Sequence, residues 1–199
     1  METVGFNIVG KDNGCGIGRL SPNCRQRGYR ASPMAEITLR GNPIHTVGEL
    51  PPVGQSAPSF SLTKSDLSEA GNADFSGKRL VLNIFPSIDT AVCATSVRTF
   101  NEKAAGLDDT VVMCVSADLP FAQNRFCGAE GIANVVMGST FRNAEFGDTY
   151  GVRLADSGMR GLMARAVVVI DAAGVVRHTE LVSEIAQEPN YEAALAALK

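Results

Sequence analysis

The sequence has no tryptophan, and histidine occurs only twice, at His45 and His178. Neither histidine lies near a cysteine in the chain. A zinc centre needs about four convergent ligands, so this chain offers zinc little. No C-x-x-C pair occurs, which counts against a dithiol oxidoreductase motif. No apolar run approaches the roughly 18 residues that span a bilayer. Positive charge is not in excess: the net charge is −3, and nothing favours binding to phosphate backbones. Cysteine is too sparse, and the chain too long, for a secreted disulfide scaffold. What remains is ordinary globular material. The 199 residues are 45% hydrophobic and 20% charged, which suits one domain plus an appendage.

The appendage is the N-terminus. Residues 1–33 carry Lys11, Arg19, Arg25, Arg27 and Arg30 against Glu2 and Asp12. They have no long apolar stretch and no clear small-residue cleavage site, so they do not read as a secretory signal. They read as an upstream extension outside the fold, with Met34 as the natural start; a transit peptide is the alternative. Gly14-Cys15-Gly16-Ile17-Gly18 is glycine-rich, but Arg19-Leu20-Ser21-Pro22 behind it is a poor helix opening. A dinucleotide loop needs a helix there.

From Glu36 the pattern is regular. Ile37–Arg40, Gly41-Asn42-Pro43 and Ile44–Val47 predict a β-hairpin. Ser59–Thr63 predicts a short strand. Leu80–Phe85, Thr110–Val115 and Ala166–Ile170 are nearly continuous apolar runs, as in strands buried on both faces. Asp171–Gly174 turns the last of these into a hairpin with Val175–Val182. Cys93, Val97, Phe100 and Ala104 share one helix face, with Gly106 as the stop. Asp118 is expected to cap a helix that has Pro120 in its first turn and runs through Cys127. Asn190 is expected to cap the helix Tyr191–Leu198. Alternating strands and helices imply parallel pairing in the centre. The predicted fold class is α/β: a thioredoxin-like mixed sheet flanked by helices, with an added N-terminal β-hairpin, over 34–199.

Chemistry concentrates in Phe85-Pro86-Ser87-Ile88-Asp89-Thr90-Ala91-Val92-Cys93. This segment leaves the C-terminal end of a buried strand and enters a helix, the edge at which α/β sheets collect reactive groups. A cysteine in the first helical turn faces unpaired N–H groups and the positive end of the helix dipole. Both favour the thiolate, which is the nucleophile. Taken alone, a lone cysteine here is more often a buried packing residue.

Pro86-x-x-x-Thr90-x-x-Cys93 resembles the active-site pattern of the peroxiredoxins. Asn83–Thr90, Ser116–Ala122, Arg125–Gly131, Thr140–Phe146 and Ala164–Asp171 resemble the bacterial thiol peroxidases, the atypical two-cysteine branch of that family. The resemblance runs from about Ile37 to Leu198 and leaves out residues 1–33. It implies that Cys93 attacks a peroxide oxygen and becomes a sulfenic acid, and that Thr90 hydrogen-bonds thiolate and peroxide. It implies that Pro86 shields the nucleophile and that Arg165 supplies positive charge and planar donors. Cys127, 34 positions after Cys93, is implied to resolve the sulfenic acid as an intramolecular disulfide.

Without the resemblance, each residue has a plainer reading. Thr90 would be a helix N-cap, Pro86 a strand terminator, Arg165 a water-facing strand-end charge, and Cys127 an ordinary helix cysteine. A disulfide needs Cα atoms within about 7 Å, which two helices seldom allow, so local unwinding is expected on oxidation. Cys114, inside an apolar strand, is expected to be an inert core thiol. Cys15 and Cys24 are given no role, and neither histidine is needed as a base.

The activity implied is reduction of hydrogen peroxide and organic hydroperoxides to water and alcohols. Thioredoxin is the implied reductant, and a homodimer in the cytoplasm the implied form. No metal, haem or flavin cofactor is implied, and no nucleic-acid or membrane partner. A thiol–disulfide oxidoreductase on the same fold, and a redox-responsive binding module without enzyme activity, stand as alternatives.

Overall fold

The computed structural model describes residues 34–199. The expectations for 1–33, including Cys15, Cys24, the glycine-rich loop and the choice of Met1 or Met34 as start, lie outside the described residues. The first element is the predicted hairpin, β1 (Glu36–Leu39) and β2 (Asn42–His45). Its turn is Arg40-Gly41, with φ of 53° and 78°. Two consecutive positive φ values match the twist of a two-residue hairpin, and glycine takes the second at no steric cost. Ile37 and Ile44 pair across the hairpin and bury themselves with Leu154, Ala164 and Ile185.

The main sheet has seven strands: β3 (Ser61–Thr63), β4 (Glu69–Gly71), β5 (Arg79–Ile84), β6 (Thr110–Ser116), β7 (Val136–Ser139), β8 (Ala166–Ile170) and β9 (Val176–Leu181), in the order β4-β3-β7-β6-β5-β8-β9. β5, β6 and β7 run parallel. β8 runs antiparallel to β5, pairing Ile84 with Ala166. The helices are α1 (Ala91–Ala104), α2 (Pro120–Glu130), α3 (Glu145–Thr149) and α4 (Tyr191–Ala196). The thioredoxin-like mixed sheet, the flanking helices and the separate hairpin are therefore present.

Side chains alternate across the central strands and divide the core. On one face, Leu80, Leu82, Ile84, Met113, Val115 and Val168 meet Phe146 and Tyr150. On the other, Val81, Val112, Val167 and Val169 meet Phe100 of α1 and Ala194 and Leu198. Cys114 faces that second side, clustered with Phe85, Cys93, Val97 and Phe126.

Several boundaries differ from the sequence expectations. The strand expected at Ser59–Thr63 begins at Ser61. β4, β7 and α3 were not predicted; they are three, four and five residues long, too short for a periodic signal. α1, by contrast, ends where expected: Ala105 is its C-cap and Gly106 follows it. Asp118 does not cap α2: the N-cap residue is Leu119, with no side-chain cap. Proline at the first helical position removes one of the donors a cap would serve. Asn190 caps α4 as expected, accepting from the Ala193 N–H. Gly151, at φ 68°, is where Glu49 crosses; a Cβ there would lie 2.2 Å from the Glu49 carbonyl oxygen.

Candidate active site

β5 ends at Ile84, and the chain crosses Phe85–Thr90 before entering α1. Cys93 is the third residue of that helix and is fully buried. Because β8 is antiparallel to β5 and starts opposite Ile84, the residue just before it reaches the same sheet edge. That residue is Arg165. Its Nη2 donates to the Cys93 sulfur at 3.4 Å, and its Nε donates to the Ile185 carbonyl at 3.0 Å. The guanidinium is only 2% exposed. Its Nη1 has no hydrogen-bond partner among the described residues. Burying a guanidinium costs several kcal/mol, on the order expected for any desolvated ion, so an unpaired donor here calls for a ligand.

The surroundings supply room for one. Arg165, Pro86, Thr90, Ala91, Val92 and Ile185 are among the residues lining a cavity of about 240 Å³. Its wall is mostly apolar, and no carboxylate lines it. A small neutral oxidant there would lie against Arg165, whose guanidinium reaches the Cys93 sulfur, without competition from an anionic side chain; Cys93 itself is buried behind that wall. Pro86 is buried where the strand turns into the loop. Thr90 stands at the N-cap position of α1 but makes no side-chain cap; its hydroxyl donates to the Ser87 carbonyl at 3.1 Å.

A model of the redoxin family matches residues 52–195. A thiol peroxidase of Mycobacterium tuberculosis is 66% identical over 165 residues, covering 83% of this chain and 99% of that protein. A thiol peroxidase of Corynebacterium glutamicum is 54% identical over the same shares of the two chains. Among solved structures, a peroxiredoxin-like protein from Aquifex aeolicus superposes with a TM-score of 0.77 at 40% identity, covering 82% of this chain and 96% of that one. The chain belongs to the redoxin family. Its place there is among the thiol-dependent peroxidases, the peroxiredoxins.

In this redoxin the described cysteines are all free thiols, in three different settings. Cys127 lies on α2, half-buried, and packs against the cluster that holds Cys93. It does not line the Arg165 cavity. It lines a separate cavity of about 380 Å³ with Lys64, Asp66 and Asn124 among others. Burial raises its thiol above the ordinary value. Cys114 is completely buried in β6, and desolvation pushes its thiol up to about 12. An Asn83 amide N–H at 3.5 Å pulls in the opposite direction without offsetting the burial.

The redoxin site also uses residues that the motif did not single out. Asp118 sends its carboxylate to the active-site loop: it accepts from the Ser87 hydroxyl at 2.8 Å, the Ile88 N–H at 2.7 Å and the Ser116 hydroxyl at 2.7 Å. An acidic residue just past an apolar strand was a visible signal, but its partner was not. His45 pairs with Asp156 at 2.7 Å, which raises the imidazole above its ordinary value; it is remote in role from the sulfur. Among the described residues, no group of three or more His, Cys, Asp or Glu is arranged to hold a metal ion. No described helix is long and apolar enough to cross a membrane.

Proposed function

We propose that Cys93 is the nucleophile by which this peroxiredoxin reduces hydrogen peroxide and organic hydroperoxides, with Arg165, Thr90 and Pro86 forming the site around it. The observation that carries the reading is the Arg165 guanidinium, one nitrogen on the Cys93 sulfur and another buried and unpartnered beside the cavity. A hydroperoxide whose oxygen accepts from Nη1 lies next to the sulfur. The Cys93 thiolate attacks the terminal oxygen, the S–O bond forms and the O–O bond breaks. The electron pair leaves with the distal oxygen as hydroxide or alkoxide, which takes a proton to become water or an alcohol. Arg165 stabilises that leaving charge because it needs no reorganisation at the moment of reaction. The Thr90 hydroxyl, one helical turn before the sulfur, is within reach of the same oxygen after rotating from Ser87. Pro86 keeps the approach dry.

Cys127 then attacks the sulfenic sulfur, releasing water and closing a Cys93–Cys127 disulfide. A dithiol, with thioredoxin as the proposed donor, reduces that disulfide and leaves as a disulfide itself. Both cysteines sit on helices, and local unwinding near one or both is the proposed route by which the sulfurs come to bond. Residues 34–199 are proposed as the peroxidase domain and the cytoplasm as its compartment, where resting thiols stay reduced. The working form is proposed to be a homodimer.

The test is peptide mapping after titration with an alkyl hydroperoxide. The wild type is expected to yield a Cys93–Cys127 disulfide. Cys93→Ser should consume no peroxide. Cys127→Ser should consume about one equivalent and then carry sulfenic or sulfinic acid on Cys93. Continued multiple turnover with thioredoxin in Cys127→Ser would assign resolution to another thiol.

A further inference from the structure

Glu184, in the segment behind β9, is a carboxylate that this mechanism leaves unused. Its Oε1 accepts from the backbone N–H groups of Arg40 at 3.0 Å and Ala186 at 3.1 Å. Its Oε2 accepts from the Gly41 N–H at 3.0 Å and the Thr38 hydroxyl at 2.8 Å. Such an arrangement has a cause in the hairpin. A two-residue turn with two positive φ values aims its amides away from the β1–β2 ladder, and backbone donors need an acceptor. Glu184 supplies it. These donors hold the carboxyl at about 2, well below its ordinary 4.5, so it is ionised throughout the working pH range.

The clamp is reinforced by backbone. Thr38 N–H donates to the Ser183 carbonyl at 2.7 Å, and Ile185 N–H donates to the Thr38 carbonyl at 2.9 Å. Ile185 then spends its own carbonyl on Arg165 Nε. Apart from the Cys93 sulfur, this is the only hydrogen-bond partner of the guanidinium among the described residues. A planar guanidinium held at Nε has its two terminal nitrogens aimed by that one bond. If the carbonyl drifts, Nη2 leaves the sulfur and the guanidinium shifts against the cavity that Arg165 lines.

We infer that Glu184 is a positioning residue for the peroxidase reaction: by clamping the Arg40–Gly41 turn onto Ser183–Ala186, it fixes the Ile185 carbonyl that orients Arg165 on Cys93. The inference rests on the Cys93–Arg165 reading above. Leu39, Arg40, Ile185 and Ala186 also line the cavity, so the same clamp shapes one wall. The two effects separate by substrate. Misaimed arginine slows every hydroperoxide, whereas a shifted wall alters only bulky ones.

The experiment is a double-mutant cycle. Glu184→Ala and Glu184→Gln are made in the wild type and in Arg165→Met. Single-turnover consumption of hydrogen peroxide and of cumene hydroperoxide is then measured. In the wild-type background Glu184→Ala is expected to slow both peroxides by about 10-fold, since small misplacements at a reacting centre carry rate penalties of this order or more. Glu184→Gln, which keeps one acceptor oxygen, should lose less. In Arg165→Met neither change should slow the reaction further. Should alanine prevent folding, as judged by circular dichroism, the glutamine variant carries the same comparison. No effect in the wild-type background overturns the inference. So does the same factor in both backgrounds, or an effect on cumene hydroperoxide alone. If Arg165→Met itself reacts at the wild-type rate, the site reading fails first and the inference with it.

Discussion

Arg165 and Cys114 show how much a single residue's surroundings decide. Arginine between Ala164 and Ala166 is unremarkable in sequence, and its plainest reading was a charge facing water. It is instead 2% exposed and bonded to sulfur. A buried guanidinium in direct contact with the Cys93 sulfur places a fixed cation where charge develops as the O–O bond breaks. Arg165→Met is expected to slow peroxide oxidation by about 10² to 10³, the usual loss for a removed transition-state donor. Arg165→Lys keeps the charge but not the planar fork, so it should recover only part of the rate. Rapid-quench measurement of Cys93 oxidation checks both, and a wild-type rate in Arg165→Met would return the arginine to a packing role. Cys114 is the contrast. With its thiol near 12, it is neutral at any working pH and cannot compete as a nucleophile. Cys114→Ala should retain near-wild-type turnover and lose on the order of 1 kcal/mol of stability, the scale of a small core deletion. A steady-state assay beside a denaturant melt measures both; lost turnover in a folded variant would overturn the core assignment.

At the scale of elements, the long periodic pieces of sequence were legible and the short ones were not. α1 was readable from Cys93, Val97, Phe100 and Ala104, because a 14-residue helix repeats its apolar face several times. α3 and β7 offer no such repeat. The start of α2 was located through Pro120, but the role of Asp118 was misread. A carboxylate before a helix suggests a cap, whereas here the nearer donors belong to Ser87 and Ile88 on the β5–α1 loop. The hairpin is tied to the segment after α3 by His45, which bonds Asp156 through both its ring and its backbone N–H. The side-chain bond from Asp156 is the largest cause of the raised imidazole value, and Glu36 adds to it. A group whose folded value is raised contributes stability that is complete below the unfolded value and fades as pH rises through the folded one. The tie is therefore expected to be strongest below about pH 6.5 while Asp156, whose carboxyl the same contact lowers, is still ionised, and to weaken as pH climbs through the raised imidazole value. An NMR titration of the His45 ring should give a midpoint above 6.5 in the wild type, falling back in Asp156→Asn. An equal midpoint in both proteins would show that the contact is not made in solution.

For the whole molecule, the deciding feature is the direction of β8. Antiparallel pairing with β5 puts the start of β8 beside the end of β5, so an arginine before one strand meets a cysteine after the other. A parallel β8 would have carried Arg165 to the opposite edge. The same edge carries exposed apolar side chains: Leu119, Phe121 and Phe141 are 52%, 65% and 42% exposed. Bonds from Ser139 to the Asp118 carbonyl and from the Phe141 N–H to Ser139 bring their two loops together. Apolar surface of this kind beside a site is where a second copy is expected to seat. If the proposed homodimer uses this face, the wild type sediments as a dimer at micromolar concentration and Phe121→Glu shifts it toward monomer. An unchanged mass would move the proposed dimer interface elsewhere.

The sequence by itself determined the fold class, the three central strands, the helix that presents Cys93 and the motif around it. These are local patterns: apolar runs, a 3.6-residue period, and residues within one short segment. It also determined that Cys114 is a core residue, because a cysteine inside a continuous apolar strand has nowhere else to face. Only the tertiary structure decided which distant groups serve that helix. Arg165 is 72 positions from Cys93, Glu184 is 144 from Arg40, and Asp118 is 30 from Ile88. No periodicity spans such separations. The contacts exist because strand order and direction bring the ends of β5, β6 and β8 and the hairpin turn to one edge, and hydrogen bonds between charged groups and backbone act only over about 3 Å.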